Sequence, residues 1–412
     1  MSQHYDSLET RSLGQREKDQ LKAVVSQIQN AKDNAPAFSQ ILESTDAASI
    51  TSREALAELP VTRKSEMISR QEESKPFGGL ATVKSPDLAY IFSSPGPIYE
   101  PSSKRADYWR FARALYAAGF RQGDIIHNSF SYHFTPAGSM LDTGAHALGC
   151  AVIPAGVGQT ETQVQTIVDV KPQGYVGTPS FLQIIIDKAK EMKADISSIN
   201  RAVVSGEALP PSLRKNFQDQ GIAVVQCYAT ADLGMIAYES PGEDGLIIDE
   251  GVLVEIVRPG TGDPVAEGEV GEVVVTTLNP DYPLIRFATG DLSAILSGTS
   301  GCGRTNQRIK GWMGRADQTT KVRGMFVHPE QVDKVIKRHS EIIKGRLVVD
   351  RKENSDVMVL KCESETNLTD DIADSISKSI REICKLRGGV AFVDSNSLPN
   401  DGKVIDDIRI YE

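Results

Sequence analysis

YPLIRFATGD, residues 282–291, followed by GRTNQRIKGWMGRADQTTKVRG, residues 303–324, is the part of the chain whose reading decides its organisation. Thr289, Gly290 and Asp291 close a β-rich run, and a glycine at the turn lets the backbone bend so that the next side chain leaves from a strand end. A carboxylate held there accepts two hydrogen bonds from a vicinal diol, which suits a ribose. Arg315 adds a rigid donor fork for the same sugar or for a phosphate. Taken singly, Gly290 and Asp291 also make an ordinary turn, and Arg315 an ordinary surface arginine.

Downstream of Asp317 the pattern changes. A strand, TKVRGMFV, precedes a helix from His328 to His339, two strands, GRLVVD and DVMVLKCE, and an amphipathic helix. In that helix Ile372, Ile376, Ile380 and Ile383 share one face, and a last strand, VAFV, completes the unit. The order βαββαβ describes a small α+β domain over residues 317–412. Placed after a Gly-Arg-Ala-Asp joint, it is a candidate moving part.

Upstream, VLVEIVRPG and GEVVVTTL are joined by the turn-rich TGDPVAEGEV and predict a β-hairpin layer. From Asp87 to Tyr228, short apolar runs (LAYIFSS, CAVIPAG, GYVGTP, RAVVSG, AVVQCYA) alternate with helix-like segments such as 105–118 and 180–193. That alternation predicts βαβ units around a largely parallel sheet, with ligands collected at the strand ends. Leu21, Val24, Val25 and Ile28 recur at helical spacing, so residues 15–33 form an amphipathic helix that stops before Pro36. The expected architecture is α/β: a large domain over 1–316 with mostly parallel sheets plus a β-rich layer, its first 75 residues a helical accessory region, and the small domain over 317–412.

At 412 residues the chain is too long for one ordinary core. A net charge of -10 leaves no basic excess to neutralise a phosphate backbone and argues against a nucleic-acid partner. The five cysteines are widely spaced with no C-x-x-C pair, which fits a reducing, cytoplasmic setting. The nearly uncharged region from Ile125 to Thr160 carries Pro136 and Pro154 among polar residues and is read as buried core or ligand tunnel, with no membrane span. A homodimer is left open.

Five further stretches follow in order: GQREKDQLKAVVSQIQNAKDNAPAF (14–38), LPVTRKSEM (59–67), VVSGEALP (203–210), YATADLGMIAYE (228–239) and LPNDGKVID (398–406). With the 282–324 segment, they resemble the AMP-forming adenylating enzymes of the acyl-CoA synthetase type, in the phenylacetate-CoA ligase branch, along the whole chain. The resemblance implies an ATP-dependent ligase that makes acyl-AMP and then acyl-CoA, with ATP/AMP, Mg²⁺, CoA and a small-molecule carboxylic acid as ligands. Two other readings remain: transfer of the acyl group to a carrier protein or an amine, and a nucleotide- or acyl-binding protein without catalysis.

On that resemblance Asp291 and Arg315 hold the ribose, Gly206 and Glu207 border the adenine, Asp317 is the hinge of the mobile domain, and Gly324 lies where the CoA arm passes. Tyr228 stacks on the adenine, or is simply a buried aromatic. Asp232 stands where the family has a Mg²⁺-binding glutamate, and Ala231 replaces a hydroxyl residue. Lys403 matches the terminal Gly-Lys that meets the charge developing on the phosphorus, where a preorganised cation does much of the catalysis. The phosphate loop departs from the pattern: SSPGPIYEP, residues 93–101, offers Ser93, Ser94 and the Gly96 amide, but two prolines precede Ile98 and no lysine is present. Tyr132, His133 and Phe134 fall at the acyl pocket, with core packing the alternative for each. Relatives carry cysteines and histidine suited to zinc where this chain has Ser240, Gly242, Ile247, Ser300 and Cys302. One thiolate does not hold a tetrahedral site, so no zinc is expected.

Overall fold

The computed structural model describes residues 3–94, 98–242, 244–316, 318, 320–323, 325–352, 355–364, 369–399, 401 and 403–409. Gly96, Asp317 and Gly324 lie outside the described residues. The chain forms two compact units. The first comprises Met1–Val254, Val275–Thr289 and Leu296–Trp312, and the second comprises Glu255–Val274, Gly290–Ile295 and Met313–Glu412.

The first unit is built on a nine-stranded sheet. Five strands are parallel, in the spatial order Ala151–Pro154, Ile125–Asn128, Gly174–Gly177, Arg201–Val204 and Ala223–Thr230. The crossovers are the helices Ala137–Leu148, Thr160–Val170, Pro179–Met192 and Pro211–Asp219, as the apolar alternation predicts. Tyr175, Ile185, Ala202 and Phe217 are fully shielded where helices cover one face of the sheet. Beyond Ala223–Thr230 the pairing turns antiparallel through Gly234–Tyr238, Leu246–Ile248 and Arg308–Ile309. The carboxyl ends of the parallel strands run into Ser129, Thr178, Ser205 and Ala231, so the loops that would hold a ligand emerge along one rim.

Two expectations are corrected within this unit. LAYIFSS does not join the parallel sheet: Tyr90–Ser94 pairs antiparallel with Ile98–Ser102, because a connection as short as 95–97 permits no crossover. The helix expected over 105–118 is only Ala112–Ala117. Asp107 and Arg110 take positive φ of 46° and 64°, and the Asp107 carboxylate accepts from the amides of Phe111 and Ala112, which delays the helix start. The N-terminal helix, Leu13–Asn34, is tied in by polar bonds. Arg16 forms a buried pair with Glu250, and Gln27 donates to the carbonyls of Thr277 and Asn279.

A four-stranded sheet in the order Thr62–Arg63, Phe287–Ser293, Gly271–Thr277, Val252–Val257 makes neighbours of the two strands read as a hairpin layer. In the second unit TKVRGMFV is a hairpin and not one strand: Thr320–Val322 pairs with Met325–Val327, and Arg323 turns with φ 48°. Helix Pro329–Lys337 and helix Asp370–Cys384 cover a sheet in the order Gly389–Val393, Ser355–Glu363, Lys344–Lys352, Ile405–Asp407. Ile376 and Ile380 are buried against Leu347, Val349 and Leu360, as their spacing predicts. The last strand, parallel to Lys344–Lys352, is an addition to the expected order. Three residues amid charges carry no apolar alternation.

Candidate active site

In the second unit Asp291 and Arg315 come together. Their backbones form an isolated antiparallel bridge, and Arg315 Nη1 donates to Asp291 Oδ1 at 2.8 Å. Asp291 is 8% exposed, whereas the arginine side chain is 55% exposed. Gly290 permits this approach: its φ is 76°, and a Cβ there would lie 2.8 Å from Arg315 Nη2. A buried carboxylate with an accessible guanidinium beside it is suited to a sugar diol.

In the first unit Asp232 sits in the turn between Ala223–Thr230 and Gly234–Tyr238, whose register closes Thr230 on Gly234. Gly234, at φ 71°, lies so near Trp109 that a Cβ would come within 2.8 Å of its carbonyl oxygen. The turn is thereby pressed inward, and the Asp232 side chain is 0% exposed. Lys64 Nζ donates to Asp232 Oδ2 at 2.5 Å, while Oδ1 is buried without a hydrogen-bond partner. Beside it is Glu100, fully buried, with Oε1 accepting from Ser94 Oγ and Oε2 unpartnered. Burial pushes the Glu100 carboxyl up to about 7, against the Ser94 hydrogen bond, and the charge of Asp232 adds to the rise. Two unpartnered carboxylate oxygens are the hard donors that Mg²⁺ takes alongside phosphate and water, so this donor set fits the ion. Among the described residues, no group of three or more His, Cys, Asp and Glu is placed to hold a metal.

Tyr228, half-buried, donates from its hydroxyl to Thr289 Oγ1 at 3.2 Å. Ser93 donates its amide to the Phe134 carbonyl at 2.9 Å, which ties the hairpin of Tyr90–Ser94 and Ile98–Ser102 to the loop carrying Tyr132 and His133. Tyr132 donates to Asp142 at 2.7 Å, and burial raises its phenol well above the usual value. His133 and Phe134 are exposed and meet edge to face, with Phe134 68% exposed at φ 62°. His133 is therefore not a buried core histidine. Gly206, at φ 84°, faces Thr178 and Phe130, and Glu207 accepts from the Ser180 amide at 2.7 Å at the start of helix Pro179–Met192. Lys403, in the second unit, donates to Asp406 at 2.8 Å with its side chain half-exposed. Its loop is anchored by Arg346, which pairs with Asp401 and donates to the Pro399 carbonyl.

Residues 106–279 match the AMP-binding enzyme model, and residues 324–408 match the AMP-binding enzyme C-terminal domain. A phenylacetate-coenzyme A ligase of Thermus thermophilus is 31% identical over 369 residues, 84% of this chain and 80% of that one. The chain belongs to the AMP-binding enzymes, in the phenylacetate-CoA ligase branch. An Escherichia coli phenylacetate-coenzyme A ligase is 29% identical over 97% of this chain and 95% of its own length. The fold is that of a 2-hydroxyisobutyryl-CoA ligase solved with 2-HIB-AMP and CoA, at TM-score 0.72 and 23% identity over 99% of this chain and 93% of that one.

In this AMP-binding enzyme Ser240 and Cys302, two of the positions compared with the branch's zinc ligands, are bridged by a guanidinium. Arg304 donates to Ser240 Oγ at 3.1 Å and to Cys302 Sγ at 3.6 Å, and it pairs with the buried Glu9 at 3.2 Å. Burial works to raise the Cys302 thiol, but hydrogen bonds from Ser300 and Arg304 outweigh it and bring the pKa below the usual thiol value. Two members of the Asp232 cluster escaped the sequence reading. Lys64 lay inside LPVTRKSEM, and Glu100 stood next to last in SSPGPIYEP, but neither has a spacing signal that joins it to Asp232.

Proposed function

We propose that this protein is an ATP-dependent carboxylate-CoA ligase of the phenylacetate-CoA ligase type. The observation that carries the reading is the Asp291–Arg315 pair packed against Gly290, a diol-binding arrangement in a chain related along nearly its full length to phenylacetate-coenzyme A ligases. A carboxylate oxygen of the acid attacks the α-phosphorus of ATP, and the bond to the β-phosphate oxygen breaks, giving acyl-AMP and pyrophosphate. The thiolate of CoA then attacks the acyl carbon, and the carbon–oxygen bond to AMP breaks.

Asp291 and Arg315 orient the ribose, and Tyr228, Gly206 and Glu207 border the adenine. Lys403 supplies a cation during adenylation, when charge accumulates on the phosphorus oxygens. Asp232 and Glu100 would hold Mg²⁺, which when bound neutralises phosphate charge. Tyr132, His133 and Phe134 bound the acyl side, where aromatic surface suits a flat or small organic acid. Gly96, Asp317 and Gly324 keep their proposed parts as phosphate amide, hinge and CoA-arm position. No zinc is proposed, since the single thiolate of Cys302 does not make a tetrahedral site and its neighbour Arg304 is a cation.

Pro95 and Pro97 in the sequence, together with Ala231, favour a second reading, a nucleotide-binding protein without turnover. Pyrophosphate release across a panel of carboxylic acids, with and without CoA, decides between them. A ligase releases pyrophosphate with at least one acid and consumes CoA with it. Release without CoA consumption points to an amine or carrier-protein acceptor, and no release with any acid overturns the enzyme.

A further inference from the structure

The phosphate-loop hairpin carries no lysine or arginine from Tyr90 to Ser102, yet it contains one buried carboxylate, Glu100, and borders another, Asp232. A triphosphate brought to that place meets like charge with nothing in the hairpin to offset it. Lys64 comes from a distant part of the sequence and is anchored on both sides. Before it, the buried Arg286 donates to the carbonyls of Ala57 and Leu59 at 2.5 and 2.6 Å, and Thr62 and Arg63 pair in parallel with Phe287 and Ala288. Beyond it, Gln71 exchanges two hydrogen bonds with the Tyr99 backbone, at 2.9 and 2.8 Å, in the manner of a strand neighbour to the hairpin.

The ammonium that results is directed, not free to wander. Asp232 Oδ2 takes one of its three donors at 2.5 Å, and the lysine side chain stays 30% exposed while the aspartate is wholly covered. Lys64 opens the 3-10 turn Lys64–Glu66, directly after the strand whose Arg63 pairs with Ala288, and its side chain is held by Asp232. The unpartnered oxygens of Asp232 and Glu100 mark the same place as one that awaits polar company.

We propose that Lys64 meets the β- and γ-phosphates of ATP, supplying from the N-terminal region the cation that the hairpin lacks. The proposal rests on the ligase reading for its substrate. The competing role, neutralising Asp232 for the sake of the fold, makes a different prediction: it treats ATP and AMP alike.

Binding of Mg²⁺-ATP and of AMP to the full chain, measured by calorimetry, separates the two roles. Lys64→Gln keeps a donor for Asp232 and removes the charge, while Lys64→Arg keeps the charge on a longer side chain. The expected result is ATP affinity lower by about 10- to 100-fold in Lys64→Gln, the worth of a lost charge-assisted contact, with AMP affinity unchanged and Lys64→Arg in between. Thioester formation from supplied phenylacetyl-AMP and CoA should proceed at the wild-type rate, which also reports that the variant is folded. Equal loss of ATP and AMP affinity, or undiminished ATP affinity, overturns the proposal. A wild type that releases no pyrophosphate with any acid overturns the ligase reading instead, and the comparison of ATP with AMP still decides Lys64.

Discussion

Asp291 is 8% exposed with one oxygen engaged by Arg315, so a ribose diol binding there gains charge-assisted hydrogen bonds in a partly dry setting. Asp291→Ala should weaken ATP and AMP to similar extents, by about 2 to 3 kcal/mol for two such bonds, with the thermal transition little changed. Calorimetry showing wild-type affinity for both nucleotides would remove Asp291 from the site. Asp232 makes a different prediction, because its unpartnered Oδ1 is proposed to face the metal. Asp232→Asn should raise the Mg²⁺ concentration needed for half-maximal pyrophosphate release, and an unaltered Mg²⁺ dependence would count against it. At this scale the sequence was legible where one motif carries both partners, as with Gly290, Asp291 and Arg315. Lys64 and Glu100 were not legible as partners of Asp232, since only the fold brings residues 64, 100 and 232 together.

The elements that carry the site are held by ion pairs as much as by apolar contact. In the second unit the short Ile405–Asp407 strand is pinned by Arg409, which donates to Asp407 at 2.8 and 2.5 Å, and by Thr320. The hydrogen bond from Arg409 is the main cause that brings the Asp407 carboxyl down to about 2, against the opposing effect of burial. A carboxyl depressed in the folded state adds stability that is present above its unfolded value of about 4 and disappears as pH falls through the folded one. Asp407→Asn should therefore lower the melting temperature of the C-terminal unit at neutral pH and flatten its decline between roughly pH 4 and 2. An acid limb identical to wild type would show that the pair contributes nothing to this strand. The strand was missed because its pairing is fixed by Thr320 and Arg409, not by alternation. The parallel core was foreseen because Val, Ile and Ala runs alternating with amphipathic helices have few other solutions.

For the whole molecule, the role proposed for Lys403 is confined to adenylation, so the two half-reactions should respond differently to its loss. Lys403→Ala should reduce pyrophosphate release by on the order of 10² to 10³, the usual cost of removing one preorganised charge partner from a transition state. Thioester formation from supplied phenylacetyl-AMP should survive, and an equal loss in both steps would assign the lysine to folding or general binding. The two-step course itself is tested most directly by the fate of the acid's oxygen. The acid is labelled with oxygen-18 in both carboxylate positions and turned over with ATP and CoA, and the AMP is analysed by mass spectrometry. Attack of the carboxylate on the α-phosphorus, followed by expulsion of AMP, predicts one labelled oxygen in AMP for each thioester formed. Unlabelled AMP, or label appearing in inorganic phosphate, would contradict an acyl-adenylate.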